Sequence, residues 1–311
     1  MTQTPVIPAF HAPVLAREVA QLLGNARHVL DCTLGGGGHA HALLEQGAHV
    51  TGIDQDPAAI EAATRRLENH LRSGAFNVIR ANFSEVETHP DLKDENWDGI
   101  LLDLGVSSHQ IDEEQRGFTF RPGAPLDMRM RPDAETDAAR LLNESDEHEL
   151  IRIFREYADE PRSGRLAREI VRRRGNRPFR TSDDLVGAIR AVLGPRSGPP
   201  EFAPLFQALR IAVNDELGVL ELSLPALRDR LTPEGIMAVI SYHSGEDRLV
   251  KRAFAEWSAV CICPPRQPVC TCRGRALGTT ITRKPRRPTA AEAQNNPRAR
   301  SALLRAWQRA A

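Results

Sequence analysis

Four consecutive glycines, Gly35 to Gly38, lie in the stretch RHVLDCTLGGGGHAHALLEQGAHVTGID from Arg27 to Asp54, and they restrict what the chain can become. Before them Val29 and Leu30 read as a buried strand. After them a helix runs through Leu44, and a second strand closes on Asp54. This is half of a nucleotide-binding βαβ unit. Glycines between strand and helix let the backbone approach a ligand where a Cβ would collide, and the helix start offers unpaired N–H groups. Asp54, 19 positions beyond Gly35, stands where an acid can accept both hydroxyls of a ribose.

Downstream the alternation of strand and helix continues. Pro13 to Leu23 reads as a helix that places Val14, Leu15, Val19, Leu22 and Leu23 on one face. Pro57 to Arg72 reads as another, with Ile60, Ala63, Leu67 and Leu71 on its stripe. Strands follow at Asn77 to Ala81 and Trp97 to Leu104, which predicts a parallel sheet covered by helices. From Ile111 onward the pattern becomes purely helical, with apolar spacing at Leu141, Leu142, Leu150, Ile153 and Phe154, then at Leu166 and Ile170, then at Leu185 and Ile189. A helix from Phe206 to Leu222, broken at Pro225, and a buried strand from Ile236 to Tyr242 return to the core. The expected organisation is a discontinuous core, 1–110 and 205–311, that ends in a basic tail and is interrupted by a helical insert, 111–204. The insert should end in the flexible stretch Gly194 to Pro204.

The chain has 311 residues, 41% of them hydrophobic, and its formal charge is zero, but the charge is unevenly spread. Residues 1 to 110 carry 7 basic and 14 acidic side chains, whereas residues 273 to 311 carry 10 basic and only one acidic, Glu292. A second arginine stripe runs from Arg162 to Arg180. Stripes of this kind suit a phosphate backbone. No apolar run approaches the length of a membrane span, and the first residues lack a basic region followed by an apolar one, so a cytoplasmic protein is expected. Five cysteines fit a reducing compartment better than a disulfide scaffold.

Which nucleotide the crevice takes depends on what is missing. A dinucleotide site wants a third glycine inside the helix, and here the helix opens His39-Ala40-His41. S-adenosylmethionine carries no pyrophosphate. It needs a close turn (Gly37, Gly38, His39), an acid for the ribose (Asp54) and an apolar contact for adenine, which Phe83 can supply at the end of the third strand. Asp103 ends the fourth strand on the same side, and Gln110 follows it with both donor and acceptor capacity. Ser107 and Ser108 have no base at recognisable spacing, so neither reads as a nucleophile.

With these residues in view the chain resembles the ribosomal small-subunit RNA methyltransferase H family, also called MraW. The resemblance runs through HAPVL at His11, DCTLGGGGHA at Asp31, GIDQDP at Gly52, DGILLDLGVSSHQID at Asp98, RGFTFRPGAPLDMRM at Arg116, FQALRIAVNDEL at Phe206, SYHSGEDRLVKR at Ser241 and NPRARSALLRA at Asn296. It implies a Rossmann-like class I methyltransferase fold, S-adenosyl-L-methionine at Gly37, Gly38, His39, Asp54, Phe83, Asp103 and Gln110, and methyl transfer to the N4 amine of a cytosine in 16S ribosomal RNA of the small subunit. It leaves room for a homodimer. Two departures are Glu201 to Leu205 in place of a run that usually carries a cation, and Gly245 in place of a usual leucine.

Asp103, or the carbonyl of Leu104, is the candidate to draw on the N–H bonds of an amine acceptor. Arg116, Arg121, Arg129 and Arg131, interleaved with Phe118 and Phe120, suit RNA contact. His243 after the resumed strand is a candidate base. Cys261, Cys263, Cys270 and Cys272 form C-x-C-x6-C-x-C, tighter than usual zinc spacing; they read as reduced thiols with no metal, with a tetrahedral zinc site as the alternative. The rival readings are a methyltransferase acting on another nucleic-acid amine, a nicotinamide-dependent oxidoreductase and a non-catalytic RNA-binding assembly factor.

Overall fold

The computed structural model describes residues 13–264, 267 and 269–311, so His11 and Ala12 of the first matched motif lie outside the described residues. Seven strands, β1 (His28–Asp31), β2 (His49–Asp54), β3 (Phe76–Arg80), β4 (Trp97–Asp103), β5 (Leu231–Ser241), β6 (Gly278–Thr280) and β7 (Leu303–Arg309), form one sheet in the order β3-β2-β1-β4-β5-β7-β6. The first five are parallel, and β7 runs antiparallel to both β5 and β6. This is an open, Rossmann-like α/β sheet.

The strands read as apolar runs because both faces are covered. Leu30, Ile100, Leu102, Met237 and Val239 face one buried cluster. Their neighbours Val29, Leu101, Ala238 and Ile240 face the other. On the second face lie α1 (Ala16–Leu23), α2 (Gly38–Leu44) and α3 (Pro57–Arg66), through Val19, Leu23, Leu43 and Ala63. The helix expected from Pro57 to Arg72 is split. Leu67, fully buried, leaves helical geometry at φ −106°, and α4 (Glu68–Arg72) follows it.

The chain divides into two compact units, one made of the residues up to Gly105 together with Leu220–Ala311, the other Val106–Val219. The second unit thus begins earlier and ends later than the expected insert. It holds α5 (Ser108–Asp112), α6 (Ala138–Glu144), α7 (Glu147–Ala158), α8 (Ser163–Arg174), α9 (Ser182–Leu193) and α10 (Pro199–Asn214). Instead of a flexible stretch up to Pro204 and a core helix from Phe206, α10 starts at Pro199. It buries Phe202, Leu205, Phe206 and Leu209 among Phe154, Leu166 and Ile189 of the same unit. Proline at the first helical position costs no hydrogen bond, which is why the proline-rich sequence opens a helix here.

The following helix, α11 (Glu216–Asp229), passes through Pro225 without breaking. Burial of Leu220, Leu224 and Leu227 against the sheet outweighs the one hydrogen bond a proline removes. Next come α12 (Ser244–Ser258) and, before β7, α13 (Ala290–Asn295).

The expected basic tail is the largest correction. Leu303–Arg309 is a sheet strand between β5 and β6, and Trp307 is fully buried against Phe254 and Trp257 at ring separations of 6.5 and 5.2 Å. Arg305 is consumed by a fork–fork pair with Asp247, 2.7 and 3.0 Å long. Among the described residues no helix is long and apolar enough to cross a membrane.

Candidate active site

The strand order reverses between β1 and β4. In an open α/β sheet this is where a crevice opens beyond the carboxyl ends of the strands. Asp31, Asp54 and Asp103 end β1, β2 and β4 there. The glycine run turns back over them. Gly35 and Gly37 adopt φ of 50° and 72°, and a Cβ on Gly37 would meet Leu67 Cδ1 at 3.0 Å and Ala63 Cβ at 3.3 Å. Asp54 fixes the turn from below: its Oδ2 accepts from Gly35 N at 2.9 Å and its Oδ1 from Asp56 N at 2.9 Å. The Gln55 amide also donates to this carboxylate, so of its about four acceptor sites about one remains for a ligand's hydroxyl.

Two residues that sequence reasoning passes over complete this crevice. Asp31 is 1% exposed and accepts from Thr33 N at 3.2 Å. Tyr242 donates its hydroxyl to Asp103 Oδ1 at 2.8 Å, and Thr33 Oγ1 accepts from Asp103 N at 2.6 Å. The other Asp103 oxygen stands 3.5 Å from Nε2 of His39, a buried side chain whose two ring nitrogens make no hydrogen bond. The position of Asp31 at the end of the strand that leads into the glycine run was the available signal. Tyr242 offered none, because its partner is 139 residues away.

Burial dominates the electrostatics. It pushes the Asp31 carboxyl up from 3.8 to about 7, helped by Asp103 and Asp54 and opposed by His39 and the Thr33 amide. It raises Asp54 to about 6 against the lowering effect of the amides of Asp56 and Gly35. The Tyr242 hydroxyl is held far above its ordinary value, first by burial and then by the Asp103 carboxylate, so it remains a donor. Three carboxylates in a desolvated cleft favour a cationic ligand.

Phe83 opens a 3-10 turn, Phe83–Glu85, at the carboxyl end of β3 and packs partly on the core. Asn82 caps that turn through Ser84 N at 3.0 Å and donates to Gln55 Oε1 at 3.0 Å, which links it to the end of β2. Gly37, Gly38, His39, Asp54, Phe83 and Asp103 therefore all sit at the carboxyl-end face of the first unit. Gln110 belongs to the second unit, on α5, with its Oε1 accepting from Ser107 N at 3.0 Å. His243 precedes α12, and its Nε2 lies 3.1 Å from Glu246 Oε1 without hydrogen-bond alignment. A small cleft lined by His28, His49, Asn77 and Trp97 lies at the opposite, amino end of the strands.

The arginines proposed for substrate are largely engaged within their own unit. Arg129 grips Asp127 through two nitrogens, 2.9 and 2.7 Å, and donates to Ala134 O at 2.8 Å. Arg116 donates to the carbonyls of Arg129 and Met130, at 2.9 and 3.2 Å. Phe118 and Phe120 pack on the insert core. Arg121 and Arg131 are more exposed, with surface pairs to Glu114 and Asp133. In the Arg162–Arg180 stripe, Arg172 and Arg173 share Glu169, and Arg174 holds the carbonyls of Leu142 and Ser145.

A family model described as the MraW methylase family matches residues 8–310. A protein named ribosomal RNA small subunit methyltransferase H from Gemmatimonas aurantiaca is 64% identical over 301 residues, 97% of this chain and 96% of that one. Proteins of the same name from Heliobacterium mobile and Symbiobacterium thermophilum are 47% and 45% identical, over 96% and 95% of this chain and 98% and 95% of theirs. Likeness at this level extends over the crevice, the helical unit and the terminal strands together, and the chain belongs to the MraW methylase family.

Proposed function

We propose that this chain transfers the methyl group of S-adenosyl-L-methionine to the N4 amine of a cytosine in 16S ribosomal RNA, acting on the RNA as it is assembled in the small subunit. The observation that carries the reading is the crevice of three strand-end carboxylates under a glycine turn. S-adenosylmethionine brings a methyl group on a positively charged sulfur and a second positive charge on its ammonium, and the residues present fit such a ligand. A negatively charged pyrophosphate would meet Asp31, Asp54 and Asp103 with no opposing cation among them, which disfavours the nicotinamide reading.

In this assignment the backbone of Gly37 and Gly38 lines the ligand, the missing Cβ of Gly37 letting the turn pack on Leu67 and Ala63, while Asp54 accepts from the ribose and Phe83 covers the adenine. Asp31, His39 and Asp103 face the amino-acid end. A cytosine amine is a poor nucleophile because its lone pair is delocalised into the ring. Asp103, held in one orientation by Tyr242, accepts an N–H of that amine and so helps localise the lone pair. Arg121 and Arg131 are the more exposed of the loop arginines and make the phosphate contacts, while Arg116, Phe118 and Arg129 shape the loop that presents them. His243 orders the start of α12. The target base must be unstacked to reach the crevice.

The test is methyl transfer from labelled S-adenosylmethionine to small subunits that lack the modification, followed by mapping of the labelled base. Label on a single cytosine N4 is the expected result. Absence of transfer, or label elsewhere, overturns the reading, and light scattering on the same sample decides between monomer and homodimer.

A further inference from the structure

Between α12 and β6 the described residues form no helix or strand, and three apolar side chains there, Val260, Ile262 and Val269, are 61%, 44% and 70% exposed. The segment therefore has little apolar burial of its own to oppose the entropy of ordering it. Its four cysteines nevertheless converge. All four Sγ atoms lie within 4.8 Å of one another, and Cys261–Cys270, Cys263–Cys270, Cys270–Cys272 and Cys272–Cys261 are separated by 3.8, 3.8, 3.5 and 3.9 Å. None forms a disulfide. For four thiolates at the zinc–sulfur distance of about 2.3 Å, the edge of a regular tetrahedron is about 3.8 Å.

We propose that Cys261, Cys263, Cys270 and Cys272 hold one structural zinc ion. Spacing alone argued against this, because one residue separates the members of each pair. The fold overcomes that objection by bringing the two pairs face to face. The sulfurs are too close together for a multi-iron cluster, whose terminal ligands bind separate metals, so the site is mononuclear. Four thiolates fill the coordination shell and leave no position for water or substrate, which makes the ion structural rather than catalytic.

Binding releases up to four thiol protons, and the resulting site carries a net charge of about −2. Backbone N–H groups are already aimed at the sulfurs: Ile262 N donates to Cys272 Sγ at 3.4 Å, and the amides of Thr271 and Gly274 serve Cys263 and Cys272. Arg273 and Arg275 follow directly in sequence and offset the charge. Arg273 also donates to the carbonyls of Glu256 and Ala259, tying the loop to the end of α12. The zinc thus clamps the connection into β6, the edge strand of the sheet, far along the strand order from the β1–β4 crevice.

The experiment is elemental analysis of the untagged full-length chain, purified with reductant and without chelators. About one zinc per chain is expected, with four thiols that react only after a mercurial displaces the ion. Replacing zinc with cobalt(II) should give the intense sulfur-to-metal charge-transfer bands and the visible bands of a tetrahedral tetrathiolate. The double variant Cys263→Ser/Cys272→Ser should lose the metal and still bind S-adenosylmethionine, because no residue of the crevice comes from this loop. Metal-free protein with four freely reactive thiols, a cobalt spectrum without thiolate bands, iron in place of zinc, or cysteines recovered as disulfides from reduced cells would each overturn the proposal. The metal analysis and cobalt spectrum use the unaltered chain, so an unfolded variant would not rescue it.

Discussion

Replacing Asp31 with Asn deletes one ionisable group while keeping the side chain's size and its acceptor for the Thr33 amide. In the folded chain Asp31 keeps its proton up to about pH 7, whereas an unfolded aspartate releases it near 3.8. Between those values the folded state binds more protons than the unfolded one. The contribution is therefore fully present below about pH 4 and is lost as pH rises through about 7. Roughly three units at about 1.4 kcal/mol each make the loss about 4 kcal/mol, a large share of the stability of an ordinary domain. Urea unfolding of the ligand-free wild type and of Asp31→Asn, at about pH 4, about pH 6 and about pH 8.5, reads this directly. The variant should gain on the wild type by about 4 kcal/mol across the range and then level off. S-adenosylmethionine should reverse the comparison, because its ammonium favours the charged carboxylate: wild-type affinity should rise with pH through about 7, and that of the variant should stay flat. A stability difference that does not change with pH, or one that grows toward acid, would refute the claim that Asp31 is a desolvated carboxyl.

Asp54→Ala removes the acid assigned to the ribose and should weaken S-adenosylmethionine binding at least about tenfold in calorimetry; unchanged affinity would discard that role. Trp307→Ala should lower the unfolding free energy by about 3–5 kcal/mol, because the ring is fully buried between Phe254 and Trp257. A loss below about 1 kcal/mol would mean that the terminal strand is not part of the cooperative fold. Asp247→Ala leaves the buried Arg305 guanidinium without its carboxylate and should cost about 3 kcal/mol in the same assay, whereas a change near zero would show the pair to be solvated.

How much of this is legible in the sequence follows from where the information sits. The glycine run, Asp54 and the first four strands are local signals, since turn residues and apolar runs report their own conformation. Asp31 is equally local, but nothing in its neighbours reveals that the flanking strands will bury its carboxyl. Arg305 reads as one more cation in a basic stripe, and only Asp247, 58 residues away, shows it to be internal. The same holds for Arg116 and Arg129, whose donors are taken up by carbonyls and a carboxylate that the fold returns to them. Pro225 misleads in the other direction, because a helix breaker yields where three leucines on one face are buried. The four cysteines illustrate the limit of spacing rules: the gap within each pair is visible, and the folding of one pair onto the other is not.

One consequence follows from the place of β7. It comes after both of its neighbours in the chain and yet lies between them, so while the polypeptide is being made the edge of β5 from Ile236 to Ser241 stays open until a segment 62 residues further along arrives. An open edge of that length invites a foreign strand. A synthetic heptapeptide of the sequence LLRAWQR, supplied during refolding, is the natural competitor for that edge.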